Sequence, residues 1–231
     1  MKQVLILLTV LISIASSAQE NAVPIGSFTS IDIFGPFKVE LIKSDKDAID
    51  MEDDIDRHHI IREVRNGKLR LRFKNKHYID SWTSDGSSRH YIHAKIYYTG
   101  LNEIRAQAGA EVYSEGVLLA KALTLDCSMG AKMDMEVLSK EVHTTVSMGA
   151  IVDLAGATKN LEVKASMGGV VNARRLASST TLVNARMGAE VDVNASKEIE
   201  INAGFGAMVN YAGDPTVRHT HKNFGAEVRG N

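Results

Sequence analysis

From about residue 101 onward, apolar and polar positions alternate, and the alternation comes in recurring blocks. Taken at every second position, one block reads Leu123, Leu125, Cys127, Met129, Ala131, Met133, Met135, and the next reads Val142, Thr144, Val146, Met148, Ala150, Val152, Leu154. Further blocks run Leu161 to Ala173, Thr181 to Val193 and Ile199 to Tyr211, with Ser, Asp, Asn, Glu, Lys and Gly filling most intervening positions. Period two of this kind marks a strand with one face buried and one face wet.

Each block carries a glycine at its centre. Gly109, Gly130, Gly149, Gly168, Gly188, Gly206 and Gly225 follow one another at steps of 21, 19, 19, 20, 18 and 19 residues, and the tetrapeptide Ser-Met-Gly-Ala at 128–131 returns at 147–150, then as Ser-Met-Gly-Gly at 166–169 and Arg-Met-Gly-Ala at 186–189. A block of about 13 extended residues would reach roughly 43 Å at about 3.3 Å per residue, so a unit that repeats this often must bend. Glycine tolerates the left-handed or bulged backbone of a sharp corner. Segments such as 155–160 and 212–216, rich in Gly, Pro, Asn and Asp, read as return turns. Each unit is then one coil of a β-solenoid, and stacking the coils predicts an internal column of Met129, Met148, Met167, Met187, Phe205 and Phe224. Cys127 falls in the neighbouring column with Ala106, Val146, Ala165, Ala185 and Ala203, where a thiol serves as a small apolar filler.

Residues 28–98 alternate too, in Phe37-Val39-Leu41 and in Ile92-Ala94-Ile96-Tyr98, and the Asn66-Gly67 pair predicts a hairpin. They are expected to form irregular early coils or a β cap, because an open coil end exposes unpaired backbone groups. The organisation expected is a signal peptide at 1–18, an N-terminal β part at 19–100, and the repeat solenoid at 101–231, the last two as one continuous unit.

The signal peptide rests on Lys2, the apolar run Val4–Ile14, and Ser16 and Ala18 placed as at a cleavage site. The run is short of the roughly 20 apolar residues of a membrane span, so no span is expected in the processed chain. An exported protein with a single cysteine, Cys127, folds without internal disulfides. With 27 basic and 28 acidic side chains, net charge −1, nothing global favours nucleic acid.

The stretches Phe28–Lys43, Asn66–Phe73, Ile96–Val112 and Asn210–Val228, together with the glycine-centred coils, resemble the putative auto-transporter adhesin head GIN domain family of exported Bacteroidetes proteins. The corner here is Ser-Met-Gly-Ala where that family usually has a Ser-Gly-Ser-Gly-like one. The resemblance implies an all-β, right-handed, single-stranded β-helix, a periplasmic or surface location, and no catalytic residues.

Candidate chemistry lies off the repeat. The loop at 77–91 holds the only Trp, and Tyr78, Trp82, His90 and Tyr91 are the candidate ligand-binding residues, because aromatic rings can stack on sugars; the alternative is a plain connection. Lys68, Arg70, Arg72, Lys74 and Lys76 share one strand face after an acidic run from Asp45 to Asp56, either a mutually compensating surface or a patch for acidic glycans. Asp134, Asp153, Asn172, Asp192 and Asn210 recur at one outward position; calcium there would need six or more oxygen ligands, and Asn relieves the repulsion without it. His219 and His221 share a side but lack a third ligand, and polar residues on a terminal strand also protect an edge. No acid–base pair or activated nucleophile stands out, since Ser128, Ser147 and Ser166 recur periodically without a His partner.

The expectation is therefore an exported, non-enzymatic β-solenoid without metal or cofactor that binds a polysaccharide or a cell-envelope or surface protein. The alternatives are a carbohydrate-active β-helix enzyme and an envelope protein that polymerises through its terminal coils. The sequence leaves open the ligand, the oligomeric state, and periplasm against outer surface.

Overall fold

The computed structural model describes residues 22–51, 59–74 and 91–230. Its strands are β1 (Val23–Pro24), β2 (Ser30–Phe34), β3 (Phe37–Lys43), β4 (Ala48–Met51), β5 (Ile60–Arg65), β6 (Lys68–Phe73), β7 (Ile92–Tyr98), β8 (Glu103–Gln107), β9 (Glu111–Ser128), β10 (Lys132–Ser147), β11 (Ile151–Ser166), β12 (Val170–Arg186), β13 (Glu190–Gly204), β14 (Met208–Ala212), β15 (Val217–Lys222) and β16 (Glu227–Gly230). No α-helix occurs among the described residues.

The chain winds into a β-solenoid of about seven turns. Successive coils pair in parallel with their repeats in register: Lys132 faces Ile151 and Ser147 faces Ser166, a constant offset that matches the 19-residue step. Where the step is 21, 20 or 18 residues the ladder absorbs the difference by local shifts, between Asp134 and Glu136, between Asp153 and Ala155, and between Asn172 and Ala177. All three lie on the run leading into the second bend, so the glycine corners remain aligned. A bulge takes up an odd residue at the expense of a ladder bond or two, which a second bend tolerates better than a straight run.

The inward columns taper. Leu125, Thr144, Val163, Val183 and Ile201 fill the middle of one layer, Met133, Val152, Val171, Val191 and Val209 fill the facing layer, and Cys127, Val146, Ala165, Ala185 and Ala203 with Ala131, Ala150, Ala189 and Ala207 fill the narrow end beside the corner, all buried. Each fully buried Leu, Ile or Val contributes about 1.5–3 kcal/mol, and stacking identical coils buries every one against two neighbours.

At the second bend, hydroxyls hold the backbone. Ser139 Oγ donates to the Glu141 carbonyl at 2.8 Å, Thr158 Oγ1 to that of Asn160 at 3.1 Å, and Ser178 Oγ to that of Asn194 at 2.7 Å. The segment 155–160, expected as a free return turn, stays inside β11 and pairs with the coils on both sides. Residues 213–216, by contrast, do form the turn between β14 and β15.

The N-terminal strands extend the same stack out of sequence order. β2, a corner at Gly35-Pro36 and β3 make one coil that sits between β8–β9 on one side and β6 with β7 on the other. Beyond it the direction reverses: β5 runs antiparallel to β6, and β4 and β1 continue antiparallel from β7. The Asn66-Gly67 hairpin is present, joining β5 to β6.

Candidate functional site

The glycine corners decide which side chains reach the surface. In each, residue i+1 and the glycine at i+2 both have positive φ: Met129 55° with Gly130 70°, Met148 54° with Gly149 68°, Met167 50° with Gly168 70°, Met187 54° with Gly188 68°, Phe205 54° with Gly206 73° and Phe224 48° with Gly225 74°. The turn closes through Ala131 N–H donating to the Ser128 carbonyl at 3.3 Å, and likewise from Ala150 to Ser147 at 3.2 Å. Two successive positive φ values define a type I′ turn. The predicted hairpin Asn66-Gly67 has φ of 51° and 70°, the same pair.

This geometry overturns the internal Met column. Both central side chains of such a turn project away from the coil, so parity passes from Cys127 to Ala131 across a corner that faces water. Met129, Met148, Met167, Met187, Phe205 and Phe224 are 39%, 51%, 47%, 57%, 54% and 70% exposed, while Cys127 and Ala131 are buried. The alternation rule for extended strands placed Met129 with its neighbours because it is apolar; a Met-Gly pair read like Asn-Gly would have turned it outward.

The corners also hydrogen-bond to one another. Gly130 N–H donates to the Met148 carbonyl at 3.0 Å, Gly149 to Met167 at 3.2 Å, Gly168 to Met187 at 3.1 Å, Gly188 to Phe205 at 3.0 Å and Gly206 to Phe224 at 3.1 Å. The result is a straight ridge of six exposed apolar side chains, about 24 Å long at about 4.8 Å per coil. At its lower end the Phe205 and Phe224 rings stack with centroids 4.7 Å apart. Ile151 adds an exposed apolar side chain along one flank.

At the upper end of the same edge, the corner stack continues through Ala108-Gly109 to Gly35-Pro36, and beside it stand the last residue of β6 and the first of β7. Phe34 is in register with Arg72, and Ile92 with Phe37; Ile92 N–H donates to the Pro36 carbonyl at 2.9 Å. Of the four aromatic candidates, Tyr78, Trp82 and His90 lie outside the described residues; Tyr91 is half-buried at the foot of β7.

The other sequence candidates resolve into charge pairs. Lys68 Nζ meets Glu103 Oε1 at 3.0 Å, and Arg105 reaches both Glu103 at 3.6 Å and Asp126 at 3.0 Å. Arg70 stands in register with Asp32 on one side and Glu63 on the other. The basic face of β6 thus meets acids from β2, β5 and β8; of the acidic run at 45–56, residues 52–56 lie outside the described residues, and Asp47 is buried and accepts the Thr99 and Phe28 amides at 2.7 and 3.3 Å. Burial would raise the Glu103 carboxyl, but hydrogen bonds from Lys68 and Ser30 outweigh it and hold Glu103 below its usual range. Glu162 is held low by Lys164 and His143.

In the Asp/Asn ladder the Asn amides hydrogen-bond the neighbouring carboxylates. Asn172 Nδ2 donates to Asp153 Oδ1 at 2.7 Å and Asn210 Nδ2 to Asp192 Oδ1 at 2.7 Å. His219 and His221 lie on the exposed β15, opposite Glu200 and Asn202. Among the described residues no group of three or more His, Cys, Asp and Glu side chains is placed to hold a metal ion. Cys127 donates to the Ile151 carbonyl at 3.7 Å, and burial pushes its thiol up to about 12, so it remains protonated and unreactive at neutral pH.

The chain is thus a parallel β-solenoid with an apolar corner edge. It belongs to the family described as "putative auto-transporter adhesin, head GIN domain", whose profile matches residues 27–215. No match was found among curated proteins. Among the solved structures that share the fold are the following three. A putative adhesin of Bacteroides fragilis is 17% identical, covers 91% of this chain and 95% of its own, with TM-score 0.79. A putative adhesin of Parabacteroides merdae is 13% identical, with coverage of 91% and 94% and TM-score 0.68. A protein of Parabacteroides distasonis described as a putative lipid binding protein is 14% identical, with coverage of 91% and 95% and TM-score 0.62. No helix among the described residues is long and apolar enough to cross a membrane.

Proposed function

We propose that this protein is an exported, non-enzymatic binding module whose contact surface is the apolar ridge of the corner edge, assisted by the aromatic residues of the 77–91 stretch. The observation that carries the reading is the exposed apolar row itself: six large apolar side chains in line exceed the scattered single exposures of an ordinary surface. The partner is a polysaccharide or a cell-envelope or surface protein, with Trp82, Tyr78, His90 and Tyr91 supplying aromatic rings. Membership of an adhesin family supports the binding role.

The test incubates the chain lacking residues 1–18 with a polysaccharide panel, scoring retention and newly released chain ends together. Retention without release, lost in Trp82→Ala, is expected; release of chain ends would replace the binding reading with an enzymatic one. A second reading, contact with lipid, is favoured by the apolar ridge and by the lipid-binding description of the P. distasonis structure. Co-sedimentation with neutral phospholipid vesicles, abolished by Phe205→Ser and Phe224→Ser, would decide for it.

A further inference from the structure

The ridge contains a second chemistry that apolarity does not require. Four of its six residues are methionines in consecutive coils, all in left-handed backbone, where Asn, Asp or Gly would be less strained. Neither turn preference nor core burial accounts for Met at these positions. What four adjacent exposed Met side chains share is a row of thioether sulfurs, and thioethers are soft ligands that select copper(I) over hard divalent ions.

We propose that Met129, Met148 and Met167 form a thioether ladder that binds a soft monovalent cation of the copper(I) class. The spacing suits it. Adjacent coils set equivalent side chains about 4.8 Å apart, and two metal–sulfur bonds of about 2.3 Å placed end to end span about 4.6 Å. Three rotatable bonds let a third Met close in to make the site trigonal. The hydrogen-bonded corners hold the three Cα positions fixed, so binding has to order side chains only.

The surroundings favour a soft ion over a hard one. The residues preceding the three methionines are Ser128, Ser147 and Ser166, all neutral, and the positions that follow the corners on the other flank are Lys132, Ile151 and Val170, with Lys132 paired to Asp153 at 3.7 Å. No carboxylate stands immediately beside these three corners in sequence. Met187 differs, because the exposed Arg186 precedes it and its charge repels a cation. Met148 alone among the three has a Met from the trio on both sides, so it is the bridging ligand.

Silver(I), added as its nitrate in chloride-free buffer, is the first probe, and copper(I) held anaerobically against a chromophoric chelator is the second. The unaltered chain is expected to take up one tightly held ion. The triple variant Met129→Leu, Met148→Leu, Met167→Leu keeps the ridge apolar and should lose affinity by roughly tenfold or more, with Met148→Leu costing more than Met187→Leu. Unchanged binding in the triple variant, or loss of binding that instead follows His219→Gln with His221→Gln or Cys127→Ala, overturns the proposal. A measurement without substitutions guards against misfolded variants: bound silver should slow peroxide conversion of Met129, Met148 and Met167 to sulfoxides, read by peptide mass mapping, relative to Met187. Equal oxidation rates with and without silver would also overturn it. Silver uptake reads this site through the three methionines, whereas Trp82→Ala and the pair Phe205→Ser, Phe224→Ser read the proposed contact surface through other residues, so the two readings fail separately.

Discussion

At the scale of single residues the core carries one fault and one inert group. Thr144 sits in a column whose other members are Leu125, Val163, Val183 and Ile201; it is 1% exposed, and its hydroxyl has no hydrogen-bond partner. Thr181, in the neighbouring column with Leu161 and Ile199, is equally buried but shares its hydroxyl with Ser178 Oγ at 2.5 Å. Leaving a buried hydroxyl unpaired costs about 1–3 kcal/mol. Thr144→Val keeps the shape and removes the hydroxyl, so it should raise stability by about 1 kcal/mol in urea unfolding, whereas Thr181→Val should lower it. A loss on Thr144→Val would mean the hydroxyl has a partner after all. Cys127 gives a pH dependence. Its thiol stays neutral in the fold to about pH 12, while an unfolded thiol ionises near 9.0. Between those values the unfolded chain binds fewer protons, so stability is fully present below pH 9.0 and falls as pH rises through the window, by at most about 1.4 kcal/mol per pH unit for this group. Tyr97 and Tyr98, both raised first by burial, add slope of the same sign higher up. Urea midpoints from pH 7 to 10.5 should therefore decline less steeply in Cys127→Ala than in the parent chain, whatever the variant costs at pH 7.

At the scale of the element, two glycines that look alike in the sequence act for different reasons. A Cβ on Gly149 would meet nothing within 4 Å, so glycine is needed there only for its φ of 68°. Gly156 has a φ of 106°, and a Cβ there would also run into the backbone carbonyl of Val137 in the coil before. Gly149→Ala should cost about 1–2 kcal/mol. Gly156→Ala should cost clearly more, because the preceding coil must shift; equal thermal midpoints for the two variants would remove the close-approach argument. The coil period, the corner glycines, the inward columns and the Asn66-Gly67 hairpin were all readable from the sequence, because they depend on strand parity and on glycine's backbone freedom, which are local. The outward turn of Met129 and its equivalents was not, because inside a type I′ turn parity no longer tracks burial, and hydrophobicity pointed the wrong way. The charge pairing of Lys68 with Glu103 was also hidden: it depends on β2 and β8 being neighbours, a consequence of the out-of-order stacking of the first coils. The interior of the aromatic candidate loop stays an expectation, since only Tyr91 of the four lies among the described residues.

At the scale of the whole molecule the two ends of the stack are finished differently. The end formed by the early strands is closed by reversal: β5 lies antiparallel on β6, β4 lies antiparallel on β7 and β1 antiparallel on β4, over buried Ile49, Ile60 and Leu69. At the other end β15 and β16 pair only with β13 and β14 among the described residues, and every residue of β15 is exposed. A solenoid's stability is approximately a sum over neighbouring coils, so a coil with one neighbour and little apolar burial should open with the lowest free energy. Hydrogen exchange should then run as a gradient: amides of β15 and β16 exchanging at least about a hundredfold faster than those of β10, β11 and β12, with β3 and β7 protected like the centre despite their place near the first end. The charged and polar run Arg218, His219, His221 and Lys222 explains why so open an edge need not recruit another chain, since like charges on two such edges would face each other. If β15 exchanged as slowly as β11 in dilute solution, and faster on further dilution, the edge would be covered by a second copy, and the molecule would be an end-to-end assembly in place of a single stack.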